Sequence, residues 1–193
     1  QPQNMIGAVL PGVWPNTMGN GTVGDNLVLH SSICCVRILN VSDKFISDVT
    51  GLAGFTALEW FQSSNNQLTS IDVSGNQSLV NLYLDNNQIT SIDVTNNPSL
   101  FTLSVQQNQL TSIDLSQNFV LDQLVCYNNQ ITTLDFSSNV SMKWLWCWNN
   151  DLTSIDVSML PNLMGMRCGQ QNLGTLDISN NLQLIDLDCG GAG

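Results

Sequence analysis

"NQLTSIDVSGNQSLVNLYLDN", residues 66–86, runs without a gap into "NQITSIDVTNNPSLFTLSVQQ" (87–107). The phrase returns as "NQLTSIDLSQNFVLDQLVCYN" (108–128), "NQITTLDFSSNVSMKWLWCWN" (129–149), "NDLTSIDVSMLPNLMGMRCGQ" (150–170) and "QNLGTLDISNNLQLIDLDCGG" (171–191). Six copies at one fixed period of 21 residues mark a chain built by stacking one small unit on the next. Upstream, "ISDVTGLAGFTALEWFQSSN" (46–65) is a degenerate copy carrying one extra residue, and "VRILNVSDK" (36–44) looks like the strand of another.

Each block contains L-x-x-L-x-L-x-x-N, as in Leu79, Leu82, Leu84 and Asn87. This is the pattern of leucine-rich repeats, in which one short strand per coil stacks into a parallel sheet. A single coil cannot bury its apolar side, so the Leu, Ile and Val positions form a core only across coils. The expected fold is a leucine-rich-repeat solenoid with a parallel β-sheet on its concave face. Coils this short leave no room for a full helix opposite, so extended or 3₁₀ segments and little α-helix are expected on the convex face. The Asn column (Asn66, Asn87, Asn108, Asn129, Asn150) falls where the chain leaves the strand. An inward Asn there satisfies turn N–H and C=O groups that burial would otherwise leave unpaired. Gln171 breaks the column and points to a looser last coil. The organisation is then a non-repeat N-terminal arm or cap over 1–35, with "NLVLHSSICC" supplying a strand, and a solenoid over 36–193. The solenoid holds two degenerate N-terminal coils and then the six repeats from residue 66.

The sequence resembles the 21-residue class of bacterial surface proteins related to internalin J, which share the phrase "LTSIDVS" and a cysteine at the last inward strand position. Cys126, Cys147, Cys168 and Cys189 hold that position here, 21 residues apart, and the likeness covers roughly residues 36–191. It implies the fold and a surface location, and leaves the ligand open.

Register then assigns a second stretch, "MKWLWCWNN" (142–150). Side chains alternate between the two faces of a strand. Leu145 and Cys147 align with Leu82 and Leu84 and face the core, so Trp144, Trp146 and Trp148 project from the concave face. Steps of 21 place Tyr127 beside Trp148, and Gly165, Arg167 and Gly169 on the opposite flank. The two glycines are expected to leave a groove, and Arg167 to stack on Trp146 and meet Asp188. Asp186 and Asp188 make the far edge acidic, while Trp60 and Tyr83 are outlying aromatics of the same face. Trp, Tyr and Arg dominate interface hot spots, and the C–H face of a sugar stacks on the same rings. The expected partner is therefore a protein or a glycan, unless the N-terminal arm or a flanking domain folds over the rings.

Composition limits the other possibilities. Four basic against 15 acidic residues, a net charge of −11, repel nucleic acid and anionic lipid. The longest apolar run, "MIGAVLPGVW", is too short to span a membrane. The start "QPQNM", without an initiator Met, fits a secreted or cell-surface protein after removal of a leader. The column Asp72, Asp93, Asp114, Asp135, Asp156 and Asp177 is read as turn acceptors rather than a Ca²⁺ site, since no Gly-rich loop accompanies it. The Thr column (Thr69 to Thr153) follows from the repeat alone. Buried thiols are expected for the four spaced cysteines, while the state of Cys34–Cys35 stays open. Sequons stand at Asn20, Asn40, Asn76 and Asn139. His30 has no partner motif, and no phosphate loop or metalloprotease motif is present, so neither catalysis nor a cofactor or metal is expected. The reading is an extracellular binding or adhesion module. The alternative is a structural subunit whose uncapped end, at "DCGGAG", stacks head-to-tail on another copy into a filament or surface layer.

Overall fold

The computed structural model describes residues 33–191. The arm expected to cap the first coil, with its strand and His30, lies outside the described residues except for its last three. Eight strands of three residues each follow in order: β1 (Ile38–Asn40), β2 (Trp60–Gln62), β3 (Asn81–Tyr83), β4 (Thr102–Ser104), β5 (Gln123–Val125), β6 (Trp144–Trp146), β7 (Gly165–Arg167) and β8 (Asp186–Asp188). They form one parallel sheet in sequence order. Leu82 pairs with Leu103, Leu103 with Leu124 and Leu124 with Leu145, which is the 21-residue step made into hydrogen bonds. The β1–β2 step is one residue longer, Leu39 against Phe61, where the degenerate coil carries its insertion.

The middle residue of each strand points inward. Phe61, Leu82, Leu103, Leu124, Leu145 and Met166 are fully buried, each stacked on its counterpart in the next coil. Opposite the sheet the chain reverses through two consecutive tight turns, for example Asn76 N–H to Val73 O and Leu79 N–H to Asn76 O, repeated in each later coil. The degenerate coil makes the same two turns, Phe55 N–H to Leu52 O and Leu58 N–H to Phe55 O, the first of them overlapping a short 3₁₀ turn at Leu52–Gly54. The convex side is thus extended chain and turns, as the short period requires.

The Asn column behaves as expected. Asn108 accepts the buried Ile89 N–H at 3.0 Å and donates to the Leu84 and Val105 carbonyls, each at 3.0 Å. Asn66, Asn87, Asn129 and Asn150 repeat the arrangement. Gln171 keeps the two donations, to Cys147 O and Cys168 O, but its buried Oε1 meets no partner. The longer side chain reaches the carbonyls and overshoots the N–H.

A second inward column escaped the sequence reading. Asn76, Asn97, Asn118, Asn139 and Asn181 are buried at the convex turns, and each Nδ2 donates to two carbonyls of the preceding coil. Their Oδ1 atoms have no partner. Leu160 fills the same column position, also fully buried. The carbonyls concerned already accept a backbone N–H, as Val94 O does from Asn97 and Asn97 O from Leu100. Asn118→Leu is therefore expected to change the unfolding free energy by no more than about 1 kcal/mol, measured by urea titration. A loss of about 3 kcal/mol or more would show that these donations hold the turns. Burial also corrects two sequons: Asn76 and Asn139 are fully buried and cannot carry a glycan in the folded chain, whereas Asn40 is exposed.

Each Asp of the exposed column accepts the N–H two residues on, from Ser74 to Asp72 through Ser179 to Asp177, all at 2.9 Å. These are Asx turns that fix the strand-to-turn corner. The ladder cysteines are thiols, with Cys126, Cys147 and Cys168 buried and Cys189 partly exposed. Cys168 and Cys189 sulfurs lie 3.1 Å apart, and those of Cys34 and Cys35 3.4 Å. Among the described residues no helix is long and apolar enough to cross a membrane.

Candidate functional site

The alternation in β6 places its side chains as the register requires. Leu145 and Cys147 are fully buried, and Trp144, Trp146 and Trp148 are half-buried on the outer, concave face. Tyr127 stacks on Trp148 with centroids 3.7 Å apart and planes 12° from parallel. Trp144 faces Gly165 across the β6–β7 pair, and its ring lies so close that a Cβ there would come within 2.4 Å of it. The guanidinium carbon of Arg167 sits 5.7 Å from the centre of the Trp146 ring. Trp146 Nε1 has no hydrogen-bond partner.

Two expectations need correction. Arg167 bonds Asp186, at 3.1 Å, and not Asp188. Asp188 is engaged elsewhere: its Oδ1 accepts the Gly190 N–H at 2.9 Å, closing the turn after β8. The two glycines also leave less space than expected. Trp144 covers Gly165 with its own ring, and a Cβ on Gly169 would lie 2.0 Å from the Gly190 carbonyl oxygen. What remains is one cleft of about 140 Å³ against Trp148, lined also by Arg167, Gly169, Gln170, Asp188 and Gly190.

The outlying pair stands apart. Trp60 and Tyr83 pack on each other, centroids 5.1 Å apart and tilted by 33°. Tyr83 and the β5–β6 aromatics are separated by β4, so about 10 Å of sheet lies between strands two apart. There Thr102 and Ser104 are buried, not exposed as the simple alternation implies.

Beside them lies Asp85, which the sequence gave no reason to single out. It shares a column with Tyr127 and Trp148, and the Ser104 and Ser64 hydroxyls donate to its two oxygens. Burial pushes its carboxyl above the usual carboxylate range, against the pull of those hydrogen bonds. Burial likewise raises the Tyr83 and Tyr127 phenols, with Asp85 adding to both. A raised folded-state value means that ionised Asp85 opposes folding, fully so above that value and not at all below the unfolded one. Asp85→Asn is therefore expected to raise the urea midpoint at neutral pH and to lose that advantage as the pH drops through the carboxylate range. An equal gain at both pH values would show that charge is not the cause. The column carboxylates act in the opposite sense: Asp72, Asp93 and Asp156 are held low chiefly by the Ser or Thr hydroxyl two residues on, and Asp114 and Asp177 by the N–H there. Their stabilisation is present above the unfolded value and is lost as pH falls through the folded one.

The convex side carries a further feature the sequence reading missed. The residue after each inner Asn column position is exposed and, from the second repeat on, apolar: Pro98, Phe119 (53%), Val140 (46%), Pro161 and Leu182. The signal was a column at the same 21-residue spacing, hidden because its members differ in type.

No family model and no curated protein matches the sequence. Solved structures do match. The functional domain of InlJ from Listeria monocytogenes, described as including a cysteine ladder, is 24% identical over 86% of this chain, with a TM-score of 0.52. A leucine-rich-repeat protein from Leptospira interrogans is 24% identical over 79%, with a TM-score of 0.74. Internalin C2 of Listeria monocytogenes is 20% identical over 96% of this chain and 85% of its own length, with a TM-score of 0.78. The chain folds as a leucine-rich-repeat solenoid. Its cysteine ladder, Cys126 to Cys189, is one residue per coil at the inward position after the strand. The solenoid spans 56% of the InlJ chain and 43% of the Leptospira chain, about half of each.

Proposed function

We propose that this solenoid is a secreted or surface-displayed binding module that recognises a protein or glycan partner through its concave face. The observation that carries the reading is the division of labour in β6, where Leu145 and Cys147 fill the core and three tryptophans project away from it. The inward positions are filled without the rings, and clustered aromatic rings left half-exposed on an outer face fit an interaction site. Trp144, Trp146, Trp148, Tyr127 and Arg167 form the centre, Asp186 and Asp188 the acidic edge, and Trp60 with Tyr83 a separate outlying contact. Binding is favoured over catalysis because the turn carboxylates are each engaged within their own corner, and no pair of them is set apart as acid and base.

The test is a screen of the purified chain against arrays of proteins and of oligosaccharides, repeated with Trp146→Ala. Ligands of the face are expected to lose at least tenfold in affinity, with circular dichroism and the unfolding midpoint unchanged. Ligands that bind the variant undiminished would overturn the assignment.

A second reading, head-to-tail assembly, draws on the last described coil. Ile185 and Leu187 are 75% and 43% exposed, whereas Met166, the counterpart of Leu187 one coil back, is fully buried. Sedimentation velocity over a wide concentration range separates the two readings. Growth into long species supports assembly through this edge, and a monomer throughout sinks it.

A further inference from the structure

The stacked pair Tyr127–Trp148 is an aromatic run in its column that the next coil does not continue. Its register successor is Gly169, and Gly190 after that. One face of Trp148 is occupied by Tyr127 at 3.7 Å, and the cleft of about 140 Å³ lies along the tryptophan beside Gly169. Glycine at 169 is required twice over. Any Cβ would strike the Gly190 carbonyl, and any side chain would fill the space beside Trp148. The result is a slot with an aromatic wall, a floor of bare backbone, and a rim formed by Arg167, Gln170 and Asp188.

We propose that this slot binds a single neutral pyranose ring of a glycan, a deepening of the reading above that rests on the concave face being the binding surface. Size argues first. Sites for drug-sized ligands start near about 300 Å³, so the slot takes one ring, with the rest of the chain leaving along the open side. The lining argues second. An aromatic or aliphatic side chain of a protein would match the indole but would leave the Gln170 amide and the second oxygen of Asp188 buried without partners, at a cost in each case. A pyranose presents both chemistries. Its polarised C–H groups face the electron-rich indole, and its edge hydroxyls donate to Asp188 and accept from Gln170 and Arg167. Charge argues third. Asp188 lines the slot, Arg167 there is already paired with Asp186, and the whole chain carries −11. A uronic or sialic acid carboxylate would meet repulsion there, so the sugar is uncharged.

The experiment uses the full 193-residue chain on an oligosaccharide array of neutral hexose, amino-sugar and acidic glycans. Hits are then followed in solution through the fluorescence of the chain's own tryptophans. Neutral glycans are expected to bind and to perturb the emission. Trp148→Ala should weaken them at least tenfold, Trp148→Phe should restore most of the loss, and Phe45→Ser, a change at an exposed residue away from the slot, should leave them as they were. Equal unfolding midpoints establish that the variants are folded. The inference is overturned if no neutral glycan binds, if acidic glycans bind in preference, or if Trp148→Ala binds like the parent. A polypeptide that binds after complete deglycosylation and is lost in Trp146→Ala, with the sugar array silent, overturns the pyranose while leaving the concave face as the binding surface.

Discussion

Asn108→Ala is expected to lower the unfolding free energy by about 3 kcal/mol, read as a drop in the urea midpoint at unchanged slope. The substitution removes the only acceptor of the buried Ile89 N–H and one of two amide donors from each of the Leu84 and Val105 carbonyls. A buried donor left without a partner costs about 1–3 kcal/mol, and each neutral bond lost adds about 1. Because Asn87 and Asn129 still reach the Leu84 and Val105 carbonyls, and the fourth bond, to Gln106 O, is the longest at 3.2 Å, the effect stays below a simple sum over four bonds. Gln171 provides the converse. Gln171→Asn is expected to raise the urea midpoint, since the shorter side chain brings its oxygen back within reach of the Leu152 N–H, as Asn150 accepts the Ile131 N–H one coil earlier. If Asn108→Ala costs less than about 1 kcal/mol, water has entered the corner and the ladder is not what closes it.

The contrast between the two Asn columns shows what a repeat makes legible. The first column opens the recurring phrase "NQLTSID" and its variants at the head of five of the six blocks, and its role follows from where the chain leaves the strand. The second lies in the variable half of the repeat, after Ser-Gly, Thr-Asn, Ser-Gln, Ser-Ser or Ser-Asn, and Leu160 interrupts it. Periodicity reports which positions recur. It does not report which of them are buried when the neighbours vary. The outward face was legible for the same reason as the core, because strand alternation fixes the side of every residue once one is fixed. That reasoning placed Trp144, Trp146 and Trp148 outside and Tyr127 on Trp148. It failed where side chains reach beyond their own row. Arg167 has the length to reach Asp186 or Asp188, and it pairs with Asp186 while Asp188 closes the Gly190 turn. Asp85 escaped because its burial depends on what stands around it, and no spacing rule carries that information.

Thiol reactivity should separate the inner ladder thiols, Cys126 and Cys147, from the exposed ones by about a thousandfold or more. Burial pushes the Cys126 thiol up to about 12 and Cys147 well above the ordinary value of 9.0, so at pH 8 the reactive thiolate of Cys126 is scarcer by about 10³ than in an unperturbed cysteine. Full enclosure of Cys126 and Cys147 adds steric protection, and a reagent reaches them only when coils separate. Exposed Cys35 and partly exposed Cys189 are expected to label with iodoacetamide at once. Cys168, raised by burial and by its contact with Cys189, should follow, and Cys147 and Cys126 only at the rate of unfolding. Coils interact only with their neighbours, so opening spreads inward one interface at a time, and the labelling order reads that sequence directly. Mass spectrometry of timed samples resolves the sites. Simultaneous labelling of Cys126, Cys147 and Cys168 at a common slow rate would show instead that the coils open as a single cooperative unit. Rapid labelling of Cys126 in native buffer would contradict the closed core, since no coil could then hold its inward strand residues away from water.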